Sequence, residues 1–273
     1  MNNKFFIGAI VSIIVIAAVG IGTLNLLQTE PEPQTPATPT PVDKPQPIVR
    51  KQPEPIKPIE EDWSTPETVT EPVEPEVTIV TAPETLENSD PQFLLAITDL
   101  SPTLKQWLLP TEQIRKWVLT VDQMADGKLP KRYRPVDYPM EKFAVTSAGE
   151  NKVSAEDNQA RMDLLIKTIT AIPPEKMAQY YQEWLPLLNE AYAEQGKGNN
   201  FNQRFQQAIS QVLAAQPLPQ QATLIRPSVL YQFEDPALEK ANDVEKILWR
   251  LGEENTEMIQ DYLRQLRHQL EEN

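Results

Sequence analysis

EQIRKWVLTVDQMADG, residues 112–127, decides the fold of this chain. Ile114, Trp117, Val118 and Val121 recur at i, i+3, i+4 and i+7, the spacing of one helix face rather than the alternation of a strand. Thr111 stands ahead as an N-cap, and Gly127 follows as a stop, because glycine accepts the left-handed conformation in which many helices end. The stretch reads as an amphipathic helix with its apolar stripe turned to a core.

The same signals continue on both sides. Ser89-Asp90-Pro91, Ser101-Pro102 and Asp235-Pro236 each put a capping side chain before a proline whose missing N–H is harmless in a first turn, so each predicts a helix start. Ser154 and Asp157, in capping-box-like spacing, precede Met162, Leu165, Ile166 and Ile169 and predict a helix over 155–171. After Pro173-Pro174, EKMAQYYQEWLPLLNEAYAEQG carries Met177, Tyr180, Tyr181, Trp184, Leu188, Ala191 and Tyr192 on one stripe, with a kink expected at Pro186 and an end at Gly196. Phe201, Phe205, Ile209 and Val212 mark another helix, and Ile259, Tyr262, Leu263, Leu266 and Leu270 the last. Only KFAVTSAGENKVS, residues 142–154, reads as a hairpin. With no alternation of strands and helices, the fold class is all-α: one domain, residues 89–273, of about seven to nine helices with one small β-hairpin.

Upstream the chemistry changes twice. Residues 5–27 carry no charge; as a helix they measure about 34 Å, enough to span a hydrocarbon core of about 30 Å. A secretory signal peptide, the rival reading, has an apolar region of only about 7–15 residues. Lys4 precedes the span and no cation follows it until Lys44, so the positive-inside rule keeps the N-terminus in the cytoplasm. Residues 1–28 are thus expected to be a single-pass transmembrane anchor, with the remainder in the periplasm. Residues 29–88, with 14 prolines between Pro31 and Pro83 and no glycine, predict a disordered linker biased to polyproline II, reaching at most about 190 Å.

Charge divides along the same line. Residues 28–90 hold 14 Asp/Glu against 4 Lys/Arg, whereas residues 91–273 hold 25 against 20, within a formal net charge of −14. No basic field of the kind nucleic-acid binders use exists at domain scale, so no nucleic-acid partner is expected.

Composition also narrows the chemistry. There is no cysteine, so disulfides, thiol nucleophiles and thiolate metal sites are excluded. His268, the one histidine, lies off the stripe of the last helix, which argues against a Ser-His-Asp triad. The eight glycines form no phosphate-cradling loop. No cofactor and no metal is expected. Paired carboxylates remain possible for a cell-wall hydrolase, although Glu112, Glu156, Asp157, Glu175, Glu253, Glu254 and Glu257 fall near helix starts, where the macrodipole favours negative charge. Glu183, Glu190 and Glu194 are spaced like an exposed face, and Trp107, Trp117, Trp184 and Trp249 read as core.

GKLPKRYRPVD, residues 127–137, gathers four cations in an acidic chain. Pro130 and Pro135 favour an extended backbone, which sets Lys131 and Tyr133 against Arg132 and Arg134. Lys128, Lys131, Arg132, Tyr133 and Arg134 are therefore candidates for binding an acidic protein or an anionic envelope component, with Arg offering bidentate contacts. The competing reading is a clamp, in which Arg132 and Arg134 pair with the domain's own carboxylates. In RPSVLYQFEDPALE, residues 226–239, Val229, Leu230, Tyr231 and Phe233 are expected to pack across the core.

GKLPKRYRP, FNQRF at 201–205 and RPSVLYQFEDPALE together resemble the bacterial family called domain of unknown function 3014. The resemblance runs from about Ser89 to Leu270. It implies an N-terminal anchor, a proline-rich spacer and a helical C-terminal domain in Gram-negative bacteria, and it transfers no functional residue. The expectation is an inner-membrane-anchored periplasmic binding or scaffold protein without catalysis, the alternative being a carboxylate-dependent peptidoglycan hydrolase.

Overall fold

The computed structural model describes residues 79–130, 132–139, 143–219, 222–228 and 230–272. The expected anchor, the linker up to residue 78, Lys131 and Val229 lie outside the described residues. Among the described residues no helix is long and apolar enough to cross a membrane.

The stretch 112–127 forms α3 (Gln113–Ala125), following α1 (Asp90–Leu100) and the single turn α2 (Pro102–Lys105). Ile114, Trp117, Val118 and Val121 are each no more than 1% exposed, and burial of each such side chain stabilises by about 1.5–3 kcal/mol. Gly127, at φ 71°, ends α3 as expected, its N–H bonded to the Met124 carbonyl and the Lys128 N–H to that of Gln123, the two bonds of a Schellman motif.

The cap is different from the expected one. Glu112 precedes α3 with φ 53° and makes no side-chain cap. The Asp90 carboxylate instead accepts from the N–H groups of Glu112 (2.6 Å) and Gln113 (2.8 Å), so the first residue of α1 caps α3. Ser101 and Asp235 cap their own helices as expected, accepting from Leu104 and Ala237.

The helix expected over 155–171 is broken into α4 (Asp157–Ala160) and α5 (Asp163–Thr170). Ser154 lies in a strand, and Asn158, 3% exposed, bonds both the N–H (2.8 Å) and the carbonyl (2.6 Å) of Ala144, tying the hairpin to α4. There follow α6 (Pro174–Glu194), with Pro186 inside it, and α7 (Phe201–Ala214), the turn α8 (Pro236–Glu239), α9 (Asp243–Leu251) and α10 (Glu253–Glu272). Every apolar residue that the sequence placed on the stripes of α6, α7 and α10 is buried. α3 packs along α7 and α6, and α10 against α6, α5 and α9.

The protein is mostly helical, with ten helices among the described residues, more than expected because three are single turns. It is not all-α. β1 (Val145–Ala148) and β2 (Asn151–Ser154) form the expected hairpin, which β3 (Leu224–Ile225) and β4 (Gln232–Phe233) extend into a four-stranded antiparallel sheet. The 226–239 block therefore supplies a sheet edge instead of crossing the core: Tyr231 and Phe233 are half-buried, and the Phe233 ring meets Trp249 edge-on at 5.6 Å. Gly252, between α9 and α10 at φ 85°, holds a conformation that a residue with a Cβ rarely adopts, and a Cβ there would come 2.4 Å from Gln159 Cδ and push that side chain aside.

Candidate functional site

Residues 127–130 and 132–138 form a strap whose two ends are held by main-chain bonds. At one end the Gly127 carbonyl accepts the Asp243 N–H (2.9 Å), and the Leu129 N–H donates to the Asp243 carboxylate (3.3 Å). At the other, the Pro135 carbonyl accepts from the Leu109 N–H (2.9 Å) and from Gln113 Nε2 (3.1 Å), while the Asp137 N–H donates to the Trp107 carbonyl (2.7 Å). Gln113 is fully buried and also donates to the Leu109 carbonyl, and its Oε1 accepts from Trp117 Nε1 (3.1 Å), so the core helix itself fixes the strap. Leu129, Pro130, Pro135 and Val136 are buried, and Tyr138 stacks edge-on to Trp107 at 4.7 Å.

Between these anchors the strap turns outward. Arg132 is exposed and Tyr133 is 69% exposed, with φ 59° in the left-handed region that a residue with a Cβ rarely adopts. That conformation, with bends at Arg132 and Tyr133, replaces the expected alternation of side chains along an extended chain. Arg134 is partly covered and pairs with Asp137 (3.0 Å) three residues on, so it stays within the strap. Arg132 has no ion-pair partner among the described residues. Lys128 is exposed on the shoulder of the strap near Asp126. The structure thus brings Lys128, Arg132, Tyr133 and Arg134 onto one short segment.

A second charged centre, which the sequence reading did not single out, lies where α3 meets α7. Arg204 on α7 donates through Nε to Asp122 Oδ1 (2.8 Å), and through Nη2 to the Asp122 carbonyl (2.6 Å) and Asp126 Oδ1 (2.7 Å). Asp122 is 2% exposed and also pairs with Lys197. The bond from Arg204 holds the Asp126 carboxyl below its usual range. The signal was present: Asp122 follows Val118 by four residues and so occupies an apolar slot of the α3 stripe. A buried acid there needs a cation to pair with, and FNQRF supplies one in Arg204.

The carboxylates expected to have ordinary roles divide. Glu194 takes Arg115 in a two-pronged pair (2.6 and 2.9 Å), and Glu183 accepts the Ala82 N–H (2.9 Å) and so is not simply an exposed face. A groove of about 380 Å³ between β2, the 215–219 connection and the α9–α10 junction is lined by Trp249, Ser154, Thr256, Glu253 and Glu257. Its two acids are exposed and lie four residues apart on one helix face. Trp249 is half-buried, its Nε1 donating to the Gln216 carbonyl (2.9 Å). His268 is exposed beside Glu272. Among the described residues no three His, Asp or Glu side chains converge to hold a metal ion.

These features define a mostly helical domain with a single apolar core and an outward-facing basic strap. The family described as "Protein of unknown function (DUF3014)" matches residues 113–267, more than half of the chain, and the chain belongs to that family. The matched region contains the strap, Arg204 and the sheet. No curated protein and no solved structure matches the chain.

Proposed function

We propose that the chain is a membrane-tethered binding protein. An N-terminal helix holds it in the bacterial inner membrane, a stiff acidic spacer carries the helical domain into the periplasm, and the strap tip engages an acidic protein segment or anionic envelope component. The observation that carries this reading is that Arg132 and Tyr133 are exposed on a segment pinned by other groups, so holding the strap is not their task. A clamp would turn both arginines to the helices.

The acidity of the chain does not oppose such a contact. Screening at physiological salt acts over about 8 Å, so an approaching carboxylate responds to the local guanidinium more than to the distant spacer. Tyr133 adds a flat apolar surface beside the charge, a pairing suited to an interface anchor. Glycoside hydrolysis needs two acids flanking the bond it cleaves, whereas Glu253 and Glu257 share one helix face in the groove, which favours binding over catalysis.

The test is photo-crosslinking in living cells. With Tyr133→p-benzoylphenylalanine, one envelope component is expected to crosslink, and the product is expected to fall at least several-fold when Arg132→Ala is added. Equal crosslinking with and without Arg132, or crosslinking spread evenly over abundant envelope proteins, removes the strap as the site.

A further inference from the structure

The last residues before α1 lie against the domain in a way that ordinary packing does not require. Val80 donates its N–H to Tyr180 Oη (2.9 Å), and its carbonyl accepts from Trp184 Nε1 (3.2 Å). The Thr81 carbonyl accepts from Gln92 Nε2 (3.2 Å), and the Ala82 N–H donates to Glu183 Oε1 (2.9 Å). All four main-chain groups meet side chains. Bonded N–H groups two residues apart, with Thr81 exposed between them, have the period of an extended chain.

The receiving surface is built for this. Tyr180, Glu183 and Trp184 fall at i, i+3 and i+4 on α6 and so share one face; Gln92 reaches in from α1. Tyr180 is held in place because its hydroxyl donates to Asp99 Oδ2 (2.6 Å), which Lys176 also approaches (2.9 Å). Burial and the Asp99 hydrogen bond push the Tyr180 phenol far up, keeping it a neutral hydroxyl that can donate and accept. Trp184 is braced by the edge of Phe93 at 5.6 Å. Ile79, Val80 and Ala82 pack against the core beneath, where Ile97, Leu100 and Met177 border a small apolar hollow.

Within a spacer where proline recurs every few residues, VTIVTA at 77–82 is uncharged, free of proline and rich in β-branched residues. Proline at position 80 or 82 would remove a bonded donor. Side chains that read main-chain groups leave the identity of the bound residues open, and the surface beneath asks only for apolar side chains where Ile79, Val80 and Ala82 now lie, as in other modes of extended-peptide recognition.

We propose that this face of α1 and α6 is a binding site for an extended peptide, filled in cis by Ile79–Ala82, and that a partner protein presenting an uncharged, β-branched, proline-free segment displaces the end of the spacer. The site is separate from the strap, and either proposal can fail alone. A cis segment acts at an effective concentration in the millimolar range, so it holds the site against weak competitors and yields to a partner of matching pattern.

The experiment uses the full-length chain and a fluorescein-labelled peptide of residues 76–84, EVTIVTAPE, followed by anisotropy. Val80→Pro with Ala82→Pro removes both cis donors; this variant is expected to bind the peptide at least tenfold more tightly than wild type, and adding Glu183→Ala is expected to reverse the gain. A peptide with proline at the positions of Val80 and Ala82 is expected not to bind. No gain in the double variant, or equal binding of the proline peptide, overturns the proposal. If the double variant fails to fold, amide exchange on wild type decides: millimolar peptide is expected to speed exchange at Val80 and Ala82, and unchanged protection overturns the proposal.

Discussion

Arg204 and Arg132 are the same side chain in two regions of one acidic domain, and they are used in opposite ways. Arg204 directs its fork at Asp122 and Asp126, joins α3 to α7, and leaves a side chain only 20% exposed. Arg132 stands in solvent at the tip of a strap that other groups hold. Arg204 is matched to a buried carboxylate, Asp122, whereas Arg132 has no ion-pair partner among the described residues, and the proposed function gives it a partner outside the chain.

The largest effect is expected at Arg204. Arg204→Ala leaves Asp122 buried with only Lys197, and such loss of one partner costs about 3–5 kcal/mol; the urea midpoint is expected to fall accordingly. Arg204→Lys is expected to recover only part, since an ammonium cannot reproduce the fork. A loss below about 1 kcal/mol would make the two arginines equivalent.

Acid is the next lever. Asp99, Asp126, Asp163 and Glu194 are each held below their ordinary values of 3.8 for Asp and 4.5 for Glu, first by hydrogen bonds from Tyr180, Arg204, Asn255 and Arg115 respectively. A carboxyl depressed on folding contributes stability that is fully present above its unfolded value and lost as pH falls through the folded one. Urea midpoints are therefore expected to be flat with respect to these groups above about pH 5 and to drop below about pH 4. Arg204→Ala should blunt the part of that drop that belongs to Asp126.

Asp90→Ala sharpens the picture at intermediate size. It strips the N–H groups of Glu112 and Gln113 of their acceptor and is expected to cost about 0.5–2 kcal/mol, the range for a lost N-cap, as read from denaturant unfolding. Smallest of all, Arg132→Ala is expected to change stability by no more than about 0.5 kcal/mol, the range for surface sites. A larger loss would turn Arg132 into a second Arg204 and restore the clamp.

The α3, α6, α7 and α10 stripes were legible because periodic burial over several turns leaves its mark in one helix's own residues. Asp90 capping α3 was not, because the acceptor comes from another helix and nothing within 111–127 records it. The two-residue strands β3 and β4 are too short to show a period, and the apolar residues around them read equally well as core. Of the candidate site, the cluster of cations was visible at once. Its geometry was not: the left-handed Tyr133 depends on anchors at Trp107, Gln113 and Asp243, which are distant in sequence. The acid cluster at Asp122 could have been found by asking why an aspartate shares the stripe of Val118 and Val121.

The most direct measurement is a titration of the full-length chain with an oligoglutamate peptide at low and high salt, wild type against Lys128→Ala combined with Arg132→Ala, with urea midpoints taken on the same preparations. Two cations at up to about 1 kcal/mol each predict binding roughly tenfold weaker in the variant, a shallower salt dependence and an unchanged midpoint. Equal affinity in the two proteins, or a midpoint that falls together with the affinity, would contradict the division between a cation that holds the fold and one that faces a partner.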